Sequence, residues 1–192
     1  MAGRQAKTIA PVQQEVLLQH VRGRKDVLRS RVIILLSLRA GLRACEIARV
    51  EWPMLLDPHG KVSRSLQLED RVAKKKSGRR IPIHPELRSA LVAHLRRTPR
   101  PTGPVIVSRK GGHMRPNSIV NFFIKLYQEI SFAGCSSHSG RRTFITVTAR
   151  NLHLAGGSLR DVQLLAGHRS LLTTQSYIDG DSHAQRKLVS LL

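Results

Sequence analysis

Two stretches of this 192-residue chain carry side chains at spacings suited to chemistry on a phosphate ester. The first is Ser137-His138-Ser139-Gly140-Arg141-Arg142-Thr143-Phe144. It reads as the mouth of a helix, where an anion meets free backbone N–H groups while His138 and Arg141, three residues apart, share one face. Arg142 adds a second cation. The spacing alone decides nothing, because His followed at three by Arg occurs at His94/Arg97, His138/Arg141 and His183/Arg186. The other two pairs fall on ordinary solvated helices, so context is what singles out His138.

The second stretch ends in Tyr177, one of two tyrosines in the chain. Tyr127 stands at helical spacing from Ile119, Phe123 and Ile130 and belongs to a core. Tyr177 follows Thr173-Thr174-Gln175-Ser176, a polar approach that fits an exposed aromatic or a structural tyrosine on the rim of the fold. Cys45 and Cys135 have no second ligand nearby and read as small hydrophobes. The closest carboxylate pairs, Glu69/Asp70 and Asp179/Asp181, lie in turns. They give a two-metal site no support, and neither a metal nor a cofactor is expected.

These side chains need elements to position them. Pro11 to Val21 reads as a helix carrying Val12, Val16 and Leu17, and Arg29 to Leu38 as a buried one stopped by Gly41. Ala44 to Val50 restarts a helix that Pro53 ends. Residues 64–68 and 79–83 alternate apolar and polar as two short strands. Between them Lys74-Lys75-Lys76-Ser77-Gly78 reads as a hairpin tip. Helices follow over Pro85 to Arg97, from an Asn117 cap to Ile130, over 139–152, and from a Ser158 cap to Ala166 with Gly167 as its terminating glycine. The tail from His183 to Leu192, with Leu188, Leu191 and Leu192, reads as a short amphipathic helix. The expected fold is mainly α with a small antiparallel β-sheet (α+β), in one domain over residues 1–192.

The partner follows from charge. Lys and Arg number 33 against 12 Asp and Glu, a formal net charge of +21. Such an excess calls for a large polyanion. Residues 61–115 alone hold 15 Lys/Arg and 3 Asp/Glu, a distributed pattern unlike a membrane-binding helix. Seven aromatics in total leave little for base stacking, so phosphate contact on double-stranded DNA is expected. Lys75, Lys76, Arg79, Arg80 and Arg142 are the DNA-binding candidates. The longest strongly apolar run, Val32 to Leu36, falls far short of the roughly 20 residues of a membrane span. A cytoplasmic, nucleoid-associated protein is expected.

The ordered motifs carry a resemblance. Gly41-Leu42-Arg43-Ala44-Cys45-Glu46-Ile47, a hairpin lysine before Arg79-Arg80-Ile81-Pro82, and His138-x-x-Arg141-Arg142-Thr143-Phe144 come first. Leu164-Leu165-Ala166-Gly167-His168 follows, with Tyr177 nine residues on. Together they resemble the tyrosine site-specific recombinases, or phage integrases. Each block is loose, but the ordered set is specific. The resemblance implies a catalytic-domain-like fold that cuts and rejoins DNA, with no cofactor. It implies Arg43 and Arg141 as phosphate clamps, Lys74 as the hairpin lysine, His138 and His168 as the two histidines, and Tyr177 as the nucleophile. Only its register to Arg79 singles out Lys74 from its neighbours.

The physics agrees with those roles. A free tyrosine of pKa near 10 is roughly one part in a thousand ionised at pH 7, so it needs a cationic field to attack a phosphodiester. Two guanidiniums supply that field and stabilise charge in the transition state. The alkoxide leaving group needs an acid, and a lysine among cations has a lowered pKa suited to it. Glu46, three residues after Arg43, reads as the partner that orients it.

Only 42 residues precede Arg43, where such proteins commonly carry a separate DNA-gripping domain. No separate N-terminal core-binding domain is therefore expected, whether through a short form or a truncated chain. A same-fold DNA-binding regulator and a type IB topoisomerase-like enzyme are the rival readings. The complete set of six residues favours catalysis. The short tail favours a recombinase that docks on a neighbouring subunit, as a homo-oligomer, a tetramer, on DNA.

Overall fold

The computed structural model describes residues 6–73, 77–99, 101–177, 186, 189 and 190. Lys74, Lys75 and Lys76, and Leu188, Leu191 and Leu192 of the expected tail helix, lie outside the described residues. The described chain is mostly helical with one two-stranded antiparallel sheet, as the sequence pattern predicts.

Helix α1 (Pro11–His20) leads through a 3₁₀ turn into α2 (Val27–Ala40). Every residue from Val32 to Leu38 of α2 is buried, as expected of a helix apolar on all sides. Gly41 ends it in the left-handed conformation, φ 63°, which a side chain disfavours. Its neighbour Phe144 also leaves no room, since a Cβ on Gly41 would lie 2.4 Å from the ring. Helix α3 (Ala44–Arg49) follows at once.

Strands β1 (Ser65–Leu68) and β2 (Arg79–Pro82) pair with Leu66 opposite Ile81 and Leu68 opposite Arg79. Leu66, Leu68 and Ile81 face inward. Helix α4 (Pro85–Leu95) packs on α2 and buries Leu87 and Leu91. Helix α5 (Pro116–Glu129) starts before the expected Asn117 cap, because Pro116 occupies its first turn, where no N–H is needed. Tyr127 is buried on α5 with Ile119 and Phe123, as its spacing predicts.

Helix α6 (Ser139–Arg150) lies against α2. The approach depends on Gly140, where a Cβ would sit 2.3 Å from the Ser37 hydroxyl. The expected helix over 139–152 breaks at Asn151, and a single turn, α7 (Leu152–Ala155), follows. Helix α8 (Leu159–Ala166) begins where Asp161 accepts the Ser158 N–H at 2.7 Å. A further short helix, α9 (Leu171–Gln175), has no apolar periodicity to announce it and was not expected. Two apolar clusters result. The larger surrounds α2, and the smaller joins Ile145, Ala149, Val162 and Ala166 with Phe144 and Tyr177 packed against it. No helix among the described residues is long and apolar enough to cross a membrane.

Candidate active site

The seam between the two clusters gathers five of the six residues expected to do chemistry. Arg141, on the first turn of α6, is the centre. Its side chain is buried and spans the seam, Nη1 donating to the Gly41 carbonyl and Nη2 to the Ala166 carbonyl, each at 2.7 Å. The first acceptor belongs to Gly41 and the second directly precedes Gly167, both glycines in the left-handed conformation. Burial, then the cations Arg43 and Arg79, lower the Arg141 pKa, with Glu46 opposing. The guanidinium nevertheless keeps its charge at neutral pH.

His168 follows Gly167 directly. Its Nε2 lies 2.9 Å from Arg141 Nη2 and its Nδ1 3.0 Å from Thr174 Oγ1. A guanidinium can only donate, so Nε2 accepts and the ring proton belongs on Nδ1, shared with Thr174. Burial and the cations Arg141, Arg43 and Arg79 bring its pKa down to about 4. His168 is therefore neutral at neutral pH. Thr174 is fully buried. Nothing in its polar run distinguishes Thr174 by residue type.

Arg43 stands just ahead of α3, and its spacing to Glu46 does two things. Glu46 Oε2 accepts the Arg43 backbone N–H, and Oε1 accepts its Nη1, both at 2.9 Å. Glu46 also takes both terminal nitrogens of Arg79 at 3.1 Å. Burial raises the Glu46 pKa, but Arg79 and then Arg43 outweigh it and bring the carboxyl to about 2. Glu46 is thus the structural partner of Arg43 that the sequence suggests.

Arg79, expected on the DNA face, instead turns inward, with its side chain 5% exposed. Strand alternation holds the signal for this, since Arg79 shares a face with buried Ile81 while Arg80 points out. Arg80 is exposed, with its Nε on Ser65 Oγ at 3.0 Å.

Tyr177 sits after α9, half-buried, its ring 5.6 Å from that of His168. The Arg142 guanidinium lies over the same ring at 5.8 Å. His138, at the mouth of α6, is exposed. A cavity of about 370 Å³ is lined by His138, Arg141, Arg142 and Tyr177, with Ser136, Thr173 and Ser176. A second, of about 250 Å³, holds Arg43, His168 and Arg169 together with Ser77 and Thr173. Thr173 borders both, so the two clefts adjoin. Ser77, the residue after Lys76 in sequence, lines the second. Among the described residues, no three His, Cys, Asp or Glu side chains gather to hold a metal.

Cationic donors, a neutral imidazole and a phenol around two adjoining clefts suit attack on a phosphodiester. The comparisons with known proteins point the same way. The model of the phage integrase family matches residues 7–183. Tyrosine recombinase XerC of Rhodospirillum centenum (strain ATCC 51521 / SW) is 31% identical over 161 residues, covering 81% of this chain and 43% of that protein. The XerC of Myxococcus xanthus is 28% identical over 183 residues, covering 88% of this chain and 57% of its own. The chain spans about half the length of these curated relatives. Among solved structures, the XerA recombinase superposes with a TM-score of 0.75 at 19% identity, over 100% of this chain and 65% of that one. The Tn1549 transposon integrase in complex with transposon right end DNA gives 0.73 at 18% identity, over 97% and 66%. With its family model matched along nearly its whole length and its fold shared with these enzymes, the chain belongs to the phage integrase family.

Proposed function

We propose that this chain cuts and rejoins double-stranded DNA at specific sites through a 3′-phosphotyrosyl intermediate. The observation that carries this reading is the convergence of Tyr177, His138 and Arg141 on one cleft, with Arg43 and His168 on the adjoining one. The scissile phosphate lies across that junction. Arg43 and Arg141 bind its non-bridging oxygens and stabilise the charge added as Tyr177 attacks. His138, exposed at the cleft mouth, takes or relays the phenolic proton. The Tyr177 oxygen bonds to phosphorus, the bond to the 5′-oxygen breaks, and Lys74 protonates that oxygen. The link conserves the energy of the phosphodiester, so a 5′-hydroxyl can reverse the step without ATP.

His168 acts through Arg141 rather than on the phosphate. With Nε2 accepting from Arg141 and Nδ1–H directed at Thr174, it braces the clamp rather than donating to substrate. Lys75, Lys76, Arg80 and Arg142 serve the flanking phosphates. In this reading residues 1–192 work as a catalytic domain, nucleoid-associated in the cytoplasm, assembling as a homotetramer on duplex DNA.

The test is a suicide duplex, nicked beside the cleavage point and built on a site found by searching the DNA flanking the gene for inverted repeats. The wild-type chain should form an adduct that survives denaturation, and its formation should require no metal. Binding without any adduct would leave the DNA-binding regulator as the better reading.

A further inference from the structure

Arg79 leads β2, three residues beyond the Lys74 to Lys76 segment, yet its guanidinium is fully engaged inside the fold. Besides its two bonds to Glu46, Nε donates to the Leu165 carbonyl at 2.9 Å and Nη1 to the Ser77 carbonyl at 3.3 Å. Three parts of the site therefore meet on one side chain. They are α3 with Glu46 and Arg43, the end of α8 that leads to the Ala166 carbonyl and His168, and Ser77 just ahead of β2. Gly167 keeps the space open, since a Cβ there would lie 2.9 Å from Arg79 Nη1.

Charge explains why one carboxylate has two arginines. Arg43 and Glu46 alone would form a neutral pair and leave no net attraction for a phosphate. Arg79 neutralises Glu46 from the buried side, so the trio carries one net positive charge. That charge resides on Arg43, the more exposed member at 19% against 5% for Arg79. Arg79 also occupies both Glu46 oxygens, so the carboxylate holds the Arg43 guanidinium through Nη1 rather than through a two-pronged clamp. A buried charge is costly unless it is paired and hydrogen-bonded in this way.

We propose that Arg79 is a positioning residue for strand cleavage, fixing Glu46, and through it Arg43, in register with Ser77 and the His168 turn. The inference rests on the reading of this site as a strand-cleaving centre. Arg79 touches no substrate and contributes nothing to the DNA-binding face.

The test compares wild type, Arg79→Lys, Arg43→Lys and the double variant on the nicked suicide duplex. Binding to that duplex is measured against salt, and adduct formation at saturating DNA. Lysine keeps the charge but cannot reach all four acceptors. Arg79→Lys should bind with the wild-type salt slope while its saturated rate falls about 100-fold, the scale of a displaced catalytic group. In the Arg43→Lys background the same change should cost less than about threefold, because the route through Arg43 is already broken. A salt slope reduced by about 0.9 with an unchanged saturated rate would make Arg79 a phosphate ligand and overturn the proposal. So would equal losses in both backgrounds. Should Arg79→Lys fail to fold, Glu46→Gln reads the same route from its other end, and a wild-type saturated rate there also overturns it. A wild-type chain that forms no adduct refutes the strand-cleavage reading itself, and this inference with it.

Discussion

Replacing Glu46 by Gln isolates the electrostatic anchor of the site. Glutamine has the shape of the protonated acid, but no orientation of its amide fits the four donors present. Oε1 accepts from Arg43 Nη1 and Arg79 Nη1, and Oε2 from the Arg43 backbone N–H and Arg79 Nη2. Either flip turns an NH₂ toward two N–H groups. The carboxyl, lowered from 4.5 to about 2, is 0% exposed, and such a shift corresponds to about 3 kcal/mol of stability. Because the folded pKa is depressed, that stabilisation is fully present above pH 4.5 and is lost as pH falls toward about 2. The variant should thus be about 3 kcal/mol less stable than wild type at pH 7, a loss that a domain of ordinary stability survives. The difference should shrink toward zero near pH 2. Urea unfolding followed by the fluorescence of Trp52, the single tryptophan and a buried one, measures both. Equal stability at pH 7, or a difference that stays constant through acid, would refute the assignment of Glu46 as a buried, doubly paired carboxylate.

Other outcomes follow from the same geometry. Gly41→Ala should cost about 3 kcal/mol, from a side chain in a left-handed turn pressed into Phe144, as thermal unfolding would register. The His168 ring should titrate near 4 by NMR, so stability rises with pH between about 4 and 6.5, and His168→Gln should remove that portion of the slope. If Lys74 is the acid, Lys74→Ala should fail on ordinary DNA and recover when sulfur replaces the bridging 5′-oxygen, because a thiolate departs without protonation. Rescue of Lys75→Ala or Lys76→Ala instead would move the acid along the lysine run.

The sequence made much of this legible where local rules act alone. The apolar run of α2, the stop at Gly41, the Ser158 cap and the alternation of β1 and β2 depend on nearby residues, and the structure matches each within a few positions. The pairing of Glu46 with Arg43 was readable because residues three apart at a helix's first turn face one another. Arg79 was misread because composition marks an arginine in a basic run as solvated. Its burial depends on Glu46, 33 residues away, and on a carbonyl of α8. The acceptors of Arg141 were equally hidden, since main-chain carbonyls at Gly41 and Ala166 have no signature in side-chain types. Helix α9 is five residues long, too short for periodicity to show.

The most direct measurement is the identity of the amino acid joined to DNA. Wild-type protein trapped on the nicked suicide duplex would be digested with nuclease and protease, and the nucleotide-bearing peptide sequenced by mass spectrometry. The account predicts a 3′-phosphotyrosyl link at Tyr177, and a Tyr177→Phe variant that binds the duplex but yields no adduct. The other tyrosine, Tyr127, is buried in the core, where burial raises its pKa. An adduct at any residue other than Tyr177, or one that persists in Tyr177→Phe, would contradict the account.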